Sequence, residues 1–416
     1  MTEQDDAPEP PALPAVELRD GVPPLTDTPD ALARAVDALA SGAGPVAVDA
    51  ERASGFRYGQ RAYLVQFHRH GSGTWLIDPI PLRDLSALQA ALVDVEWVLH
   101  AASQDLPCLR DIGLEPRRIF DTELAARMLG RDRVGLGPLV EAELGLYLAK
   151  GHGAADWSTR PLPESWLRYA ALDVEVLLEL RDLLAADLVA TGKAPWAEEE
   201  FAAVLAAPAA APRTDPWRRT SGMHKLRGRR SLAIVRSLWE ARDVVARERD
   251  ISPGRILPDA AIVAAATALP SGCEALLALP EFTKPGAKRY ARRWCTALTE
   301  ALAVPDAQLP PQTLPGDGPP PPRLWADRDP EAAARLVAAR AALADLAERV
   351  SMPVENIVSP DAVRRLAWRP PAVLEAQQVD DALASLGVRA WQRHLVVDPL
   401  LEALQATPAP PAETPA

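Results

Sequence analysis

The chain has 416 residues, enough for two to four domains at about 150 residues each. Hydrophobic residues make up 48% and charged residues 25%, so a large core is possible and wholesale disorder is excluded. The net charge of -12 argues against indiscriminate coating of nucleic acid, and no apolar run approaches the ~20 residues needed to cross a bilayer.

Residues 1–30 carry Glu3, Asp5, Asp6, Glu9, Glu17, Asp20, Asp27 and Asp30 against Arg19, too polar to offset the entropy of ordering, and are expected to be a flexible acidic tail. An acidic, proline-rich start is the opposite of a signal peptide, and a cytoplasmic location is expected. The three cysteines, Cys108, Cys273 and Cys295, show no CxxC pair and are expected to be reduced thiols. Leu32, Val36 and Leu39 open a helical pattern near Pro29. Short apolar runs follow at Val46–Val48, Tyr63–Phe67, Trp75–Ile77 and Trp97–Leu99, with Gly71 and Gly73 marking a hairpin between the second and third. Helical stretches then dominate: Leu85 to Val93, Leu106 to Arg110, Glu123 to Leu129, Leu139 to Leu146 and Trp166 to Val189. The pattern predicts a mixed α/β domain over 31–205, a linker at 206–216, a helical domain at 217–303, a proline-rich linker at 304–329, a second helical domain at 330–405 and a disordered tail at 406–416. The two helical domains echo each other: Ile256-Leu257-Pro258-Asp259-Ala260 resembles Ile357-Val358-Ser359-Pro360-Asp361-Ala362, each after a charged helix, and both aspartates are expected as N-caps.

Chemistry enters at Val46-Ala47-Val48-Asp49-Ala50-Glu51. Carboxylates two residues apart on a strand share a face, and like charges placed together need a cation. Oxygen ligands of this kind suit magnesium or manganese. A second such triplet, Asp121-Thr122-Glu123, opens a helix and reads as an N-cap with a favourable first-turn acid. Asp105 follows the strand ending at His100; alone it reads as a partner of a helix N-terminus. Tyr169 and Asp173, four apart, share a helix face and alone read as ordinary amphipathic packing. Taken together, these elements match what two-metal phosphodiester cleavage needs: carboxylates from separate elements converging on one place. His68, His70 and His100 are expected to serve the sheet edge or the core.

In order along the chain, Asp49-x-Glu51, the segment His100 to Asp105, and Tyr169-x-x-x-Asp173 resemble the three motifs of the DEDD superfamily of 3'→5' exonucleases, in its tyrosine-bearing branch. More closely, residues 40–190 are similar to the ribonuclease D family, through Glu51-Arg52-Ala53-Ser54-Gly55, Ala62-Tyr63-Leu64-Val65-Gln66, Phe120-Asp121-Thr122-Glu123 and Ala155-Asp156-Trp157-Ser158-Thr159-Arg160-Pro161-Leu162. Residues 217–300 look like an HRDC domain, and 330–405 resemble one more weakly. The resemblance implies a ribonuclease-H-like mixed sheet flanked by helices, followed by two small all-α HRDC-like domains. It implies two divalent cations, Mg2+ or Mn2+: Asp49 bridging both, Glu51 and Asp173 completing the first shell, Asp105 serving the second ion, and Tyr169 orienting the attacking water. The substrate implied is RNA with a free 3' end, such as a tRNA precursor, released as nucleoside 5'-monophosphates. The runners-up are a DNA exonuclease of the same fold and a non-catalytic RNA-binding adaptor, against which the intact motif residues argue.

An acidic site needs a basic surface nearby to hold a polyanion. Arg213, Arg218, Arg219, Lys225, Arg227, Arg229, Arg230 and Arg236 supply one against Asp215, with Trp217 and His224 between them, and are expected to contact RNA or to form a solvated helix face. A second group comprises Lys284, Lys288, Arg289, Arg292 and Arg293. Trp157 and the loop Lys150-Gly151-His152-Gly153 are further candidates for substrate contact, with packing as the alternative for Trp157. There is no GxxxxGK[ST] loop, so no nucleotide cofactor is expected.

Overall fold

The computed structural model describes residues 13–406 apart from Lys150, Ala210, Pro212, Pro315 and Asp317; the first twelve residues and residues 407–416 of the expected tails lie outside it. In chain order the first part runs β1 (Leu25–Thr26), α1 (Pro29–Ser41), β2 (Ala43–Arg52), β3 (Ala62–His70), β4 (Gly73–Ile77), α2 (Ser86–Leu92), β5 (Glu96–Leu99), α3 (Leu106–Arg110), β6 (Arg118–Asp121), α4 (Thr122–Met128), α5 (Leu136–Leu144), α6 (Glu164–Glu175), α7 (Leu177–Ala190) and α8 (Ala194–Ala206). The six strands form one mixed sheet in the order β1-β4-β3-β2-β5-β6. β2 runs antiparallel to β3 and parallel to β5, which is parallel to β6. The β3–β4 hairpin turns through Gly71 and Gly73 at φ of +81° and +74°, a region glycine enters without a Cβ penalty.

The acidic segment expected to be a tail up to residue 30 is built into this fold from residue 13. Ala15 bridges to Tyr147, Arg19 bonds Glu175 and Glu179 on α6 and α7, and Leu25–Thr26 is one of the sheet's two edge strands. Pairing with a preformed sheet edge supplies backbone hydrogen bonds that the segment's composition alone does not predict. β6 was likewise hidden in sequence, because Arg118-Ile119-Phe120 is short and runs straight into α4.

The first helical module comprises α9 (Arg229–Arg249), α10 (Pro253–Ile256), α11 (Asp259–Ala268), α12 (Cys273–Leu277), α13 (Pro285–Arg289) and α14 (Ala291–Ala303). It has a core of its own around Trp217, Phe282 and Trp294. Cys273 and Cys295, expected as free thiols, form a disulfide: α12 packs on α14 and brings their Cα atoms to 4.8 Å, a proximity the 22-residue separation conceals. Cys108 is free and buried.

The second module, α15 (Trp325–Arg328), α16 (Pro330–Val350), α17 (Val354–Ile357), α18 (Pro360–Trp368), α19 (Ala376–Ser385) and α20 (Ala390–Gln405), repeats the succession of a 21-residue helix, a four-residue turn of helix and a further helix. Asp259 and Asp361 sit in the first turns of α11 and α18, whose N-caps are Pro258 and Ser359; the expected caps are displaced because proline already opens each turn. This module shares one continuous apolar core with the sheet domain. Trp391 stacks on Trp196 with ring centroids 5.3 Å apart and donates its Nε1–H to Glu200, while Glu199 accepts from the first amides of α20. The buried Lys193 ammonium donates to the carbonyls of Met128 and Ser351 across the same joint.

Candidate active site

β2 carries Asp49 and Glu51 at its C-terminal end, and strand alternation puts both on one face. α6 crosses that face and delivers Asp173. Ligand oxygens of Asp49, Glu51 and Asp173 all lie within 4.8 Å of one another. Asp105 reaches the site from the short turn Ala102–Gln104 before α3, and its carboxylate faces Arg52 at 3.6 Å. It stands outside the tight trio but close enough to Asp49 to feel its charge.

Burial and mutual repulsion drive these groups toward their protonated forms. Glu51 is pushed up to about 10, by desolvation first and then by Asp49, Asp173 and Asp105. Asp105 is pushed up to about 8 by desolvation and by Asp49. Asp49 and Asp173 are raised chiefly by desolvation. Uncompensated buried carboxylates with hard oxygen donors fit a divalent cation, which would neutralise what the protein leaves unpaired.

Tyr169, one helical turn before Asp173, hydrogen-bonds that carboxylate. Burial and the surrounding acids raise its phenol above the ordinary range, so the hydroxyl keeps its proton. Loop 151–157 covers the ring closely: a Cβ on Gly153 would lie 3.4 Å from the Tyr169 hydroxyl, and the His152 ring packs edge-on at 5.9 Å. Trp157, considered for substrate contact, is instead fully buried against Trp166 and donates Nε1–H to the His152 carbonyl. Its indole anchors the loop and offers no surface to RNA. Arg160 fastens the loop's far end through both oxygens of Asp78 and the Tyr63 carbonyl.

Two residues do more here than their sequence contexts suggest. Asp121 caps α4 by accepting from the Leu124 amide, as expected, and also accepts from the amides of Ala101 and Ala102. It thereby fixes the turn that presents Asp105, with Ala101 held at φ +61°. His100, assigned to the core or sheet edge, lines the cleft with Asp49, Pro138, Leu148, Tyr169 and Asp173, a space of about 200 Å³. Its Nδ1 bonds Thr122 at 2.9 Å, and burial pushes its pKa down to about 4, so it is neutral at pH 7. A larger groove of about 550 Å³ lies between β6 and helices α7 and α8, but it contains none of the motif residues.

The arginine-rich stretch that runs into the first turn of α9 divides into two kinds. Arg218 pairs with Asp215 at 3.0 Å and donates to Pro311; Arg229 donates to Leu309 and Pro310; Arg230 donates to Ala301, Leu302 and Val304 and pairs with Asp306. These three, expected to contact RNA, instead hold the start of the linker 304–329 against the first helical module. Arg227 bonds the carbonyls of His224 and Leu226. Arg219 and Lys225 are exposed, with no side-chain partner among the described residues.

Residues 25–188 match a family profile described as "3'-5' exonuclease", and residues 231–298 match one for the HRDC domain. The ribonuclease D of Acidiphilium cryptum is 35% identical over 299 residues, which is 69% of this chain and 74% of that protein. The chain belongs to the ribonuclease D family. Residues 318–404, which take in nearly all of the 330–405 stretch expected to be a second HRDC-like domain, match a profile described as "3' to 5' exonuclease C-terminal domain". That separate identity is consistent with a module that packs into the exonuclease core rather than around one of its own. Among solved structures, a protein from Bifidobacterium adolescentis is 38% identical with a TM-score of 0.85, covering 95% of this chain and 100% of that one. Escherichia coli RNase D, described as an exoribonuclease involved in structured RNA processing, is 27% identical with a TM-score of 0.65, covering 93% of this chain and 99% of that one. The family's exonuclease domain thus coincides with the part of the molecule that gathers the carboxylates.

Proposed function

We propose that this protein is a metal-dependent 3'→5' exoribonuclease that trims the 3' ends of structured RNAs such as tRNA precursors and releases nucleoside 5'-monophosphates. The observation that carries the reading is the convergence of Asp49, Glu51 and Asp173 within 4.8 Å beside a protonated Tyr169. Asp49, Glu51 and Asp173, with Asp105, would hold two divalent ions, Mg2+ or Mn2+. When bound, such ions lower the pKa of an attacking water and stabilise the departing 3'-oxygen. Tyr169, its phenol protonated and held by Asp173, would hydrogen-bond and orient that water at the terminal phosphodiester. Arg52, 3.6 Å from Asp105, supplies a positive charge for a phosphate. Arg219 and Lys225, exposed and without a side-chain partner among the described residues, would meet the RNA backbone.

The deciding assay presents RNA and DNA oligonucleotides, with free or blocked 3' ends, to the protein with Mg2+ or Mn2+. Stepwise shortening of the free-ended RNA is expected, with none in EDTA. Asp49→Ala is expected to lower the rate by at least about 10³-fold, the scale of losing a group that acts directly on transition-state charge, while the chain stays folded. Cleavage of DNA alone would replace the substrate assignment. Equal inertness of wild type and mutant, with tight RNA binding, would make the protein an adaptor.

A further inference from the structure

β3 is buried over almost its whole length, and at its centre stands Gln66, 0% exposed. Neither Nε2 nor Oε1 of its side chain has a hydrogen-bond partner. Interiors satisfy nearly all such groups, because an amide removed from water without a new partner destabilises the fold. For packing alone, a leucine or methionine would serve this position better.

Its neighbours narrow the explanation. Gln66 pairs directly with Asp49 on β2 and with Leu76 on β4. Residues directly opposite in an antiparallel pair share a face, with Cβ atoms about 4.5–5.5 Å apart. Leu76 has no polar side-chain atom. On the same face of β3, Leu64 is apolar, and His68 is already engaged through Thr74 at 2.8 Å, whose hydroxyl in turn donates to Glu175. Of these neighbours, Asp49 is the one able to accept a proton from the carboxamide and still lacking a side-chain donor.

We propose that Gln66 is a positioning residue for Asp49: with a divalent cation bound, its Nε2 donates to the Asp49 carboxylate and holds that carboxylate in its ligating orientation. The inference rests on the metal-dependent reading above. An amide donating to an ionised carboxylate makes a charge-assisted bond, and groups standing behind a ligand in this way set its orientation and basicity. Without the cation its carboxamide makes no hydrogen bond, so its effects on stability and on cation binding separate.

Gln66→Met keeps the length of the side chain and removes its polar atoms. Melting temperatures of the full chain are measured in EDTA and across a Mn2+ titration. In EDTA the variant is expected to melt at or above the wild-type temperature, while its apparent Mn2+ affinity falls about ten- to hundredfold. An unchanged Mn2+ affinity overturns the proposal, whichever way the melting temperature moves. Absence of any Mn2+ stabilisation in the wild type would instead overturn the metal-dependent function, and this inference with it. Should Gln66→Met not fold, a crystal structure of the wild type with Mg2+ decides. Gln66 Nε2 within about 3.2 Å of an Asp49 oxygen supports the assignment, and a carboxamide bonded elsewhere or to nothing overturns it.

Discussion

At the end of β2, Asp49, Glu51 and Asp173 crowd within 4.8 Å, with raised pKa values. In the stretch leading into and opening α9, Arg218, Arg229 and Arg230 also gather like charge, yet each is answered by backbone carbonyls or an aspartate. Both regions look functional when charge is counted along the chain. Only the first buries charge that the protein leaves uncompensated, and that is the region where a cation and substrate have something to contribute. Charge density marks a candidate; charge left unsatisfied after folding marks a site.

The sharpest way to break this contrast is to titrate the cation-free protein. Glu51 and Asp105 have folded-state pKa values of about 10 and about 8, above their unfolded values. The folded chain therefore holds more protons than the unfolded one above pH 7, and stability falls as pH rises. At roughly 1.4 kcal/mol per pH unit for each retained proton, the loss between pH 7 and pH 9 is about 3–4 kcal/mol. His100, neutral throughout that window, adds nothing. Denaturant melts in EDTA check the slope, and Mn2+ is expected to flatten it. A flat profile in EDTA would mean that the carboxylates are already compensated.

On the other side of the comparison, Arg230→Ala removes donors from three carbonyls and should cost about 1–3 kcal/mol of stability without changing RNA affinity. An RNA affinity that drops while the melting curve stays put would return Arg230 to the binding surface. The smallest expected effect belongs to Arg219→Ala with Lys225→Ala: a loss of RNA affinity of a few-fold to about tenfold. The salt dependence should become shallower by about 0.7 per lost contact on single-stranded RNA, at unchanged stability. Binding isotherms at two or more salt concentrations measure both quantities.

Much of the molecule was legible from residue order. The apolar runs at 46–48, 63–67, 75–77 and 97–99 became β2, β3, β4 and β5, because period-two patterning with β-branched and aromatic residues has few other outcomes. The echo between Ile256 and Ile357 became two modules with the same succession of helices. What stayed hidden depends on distant partners. β1 exists because β4 offers an edge, Trp157 is buried because Trp166 and the His152 carbonyl claim it, and Cys273 finds Cys295 because α12 packs on α14. Asp121 read correctly as a cap, but its grip on the Asp105 turn needed β5 and β6 to lie side by side.

Sequence alone determined the alternation that sets Asp49 and Glu51 on one face, the turn of helix between Tyr169 and Asp173, and the order of the domains, since each follows from the local periodicity of the backbone. Tertiary structure decided which charges remain unanswered, which aromatics are covered, and that Gln66 lies across from Asp49 with its amide unused. Those outcomes are set by desolvation and pairing, which depend on what the remainder of the chain brings within a few ångströms, however far away it lies in sequence.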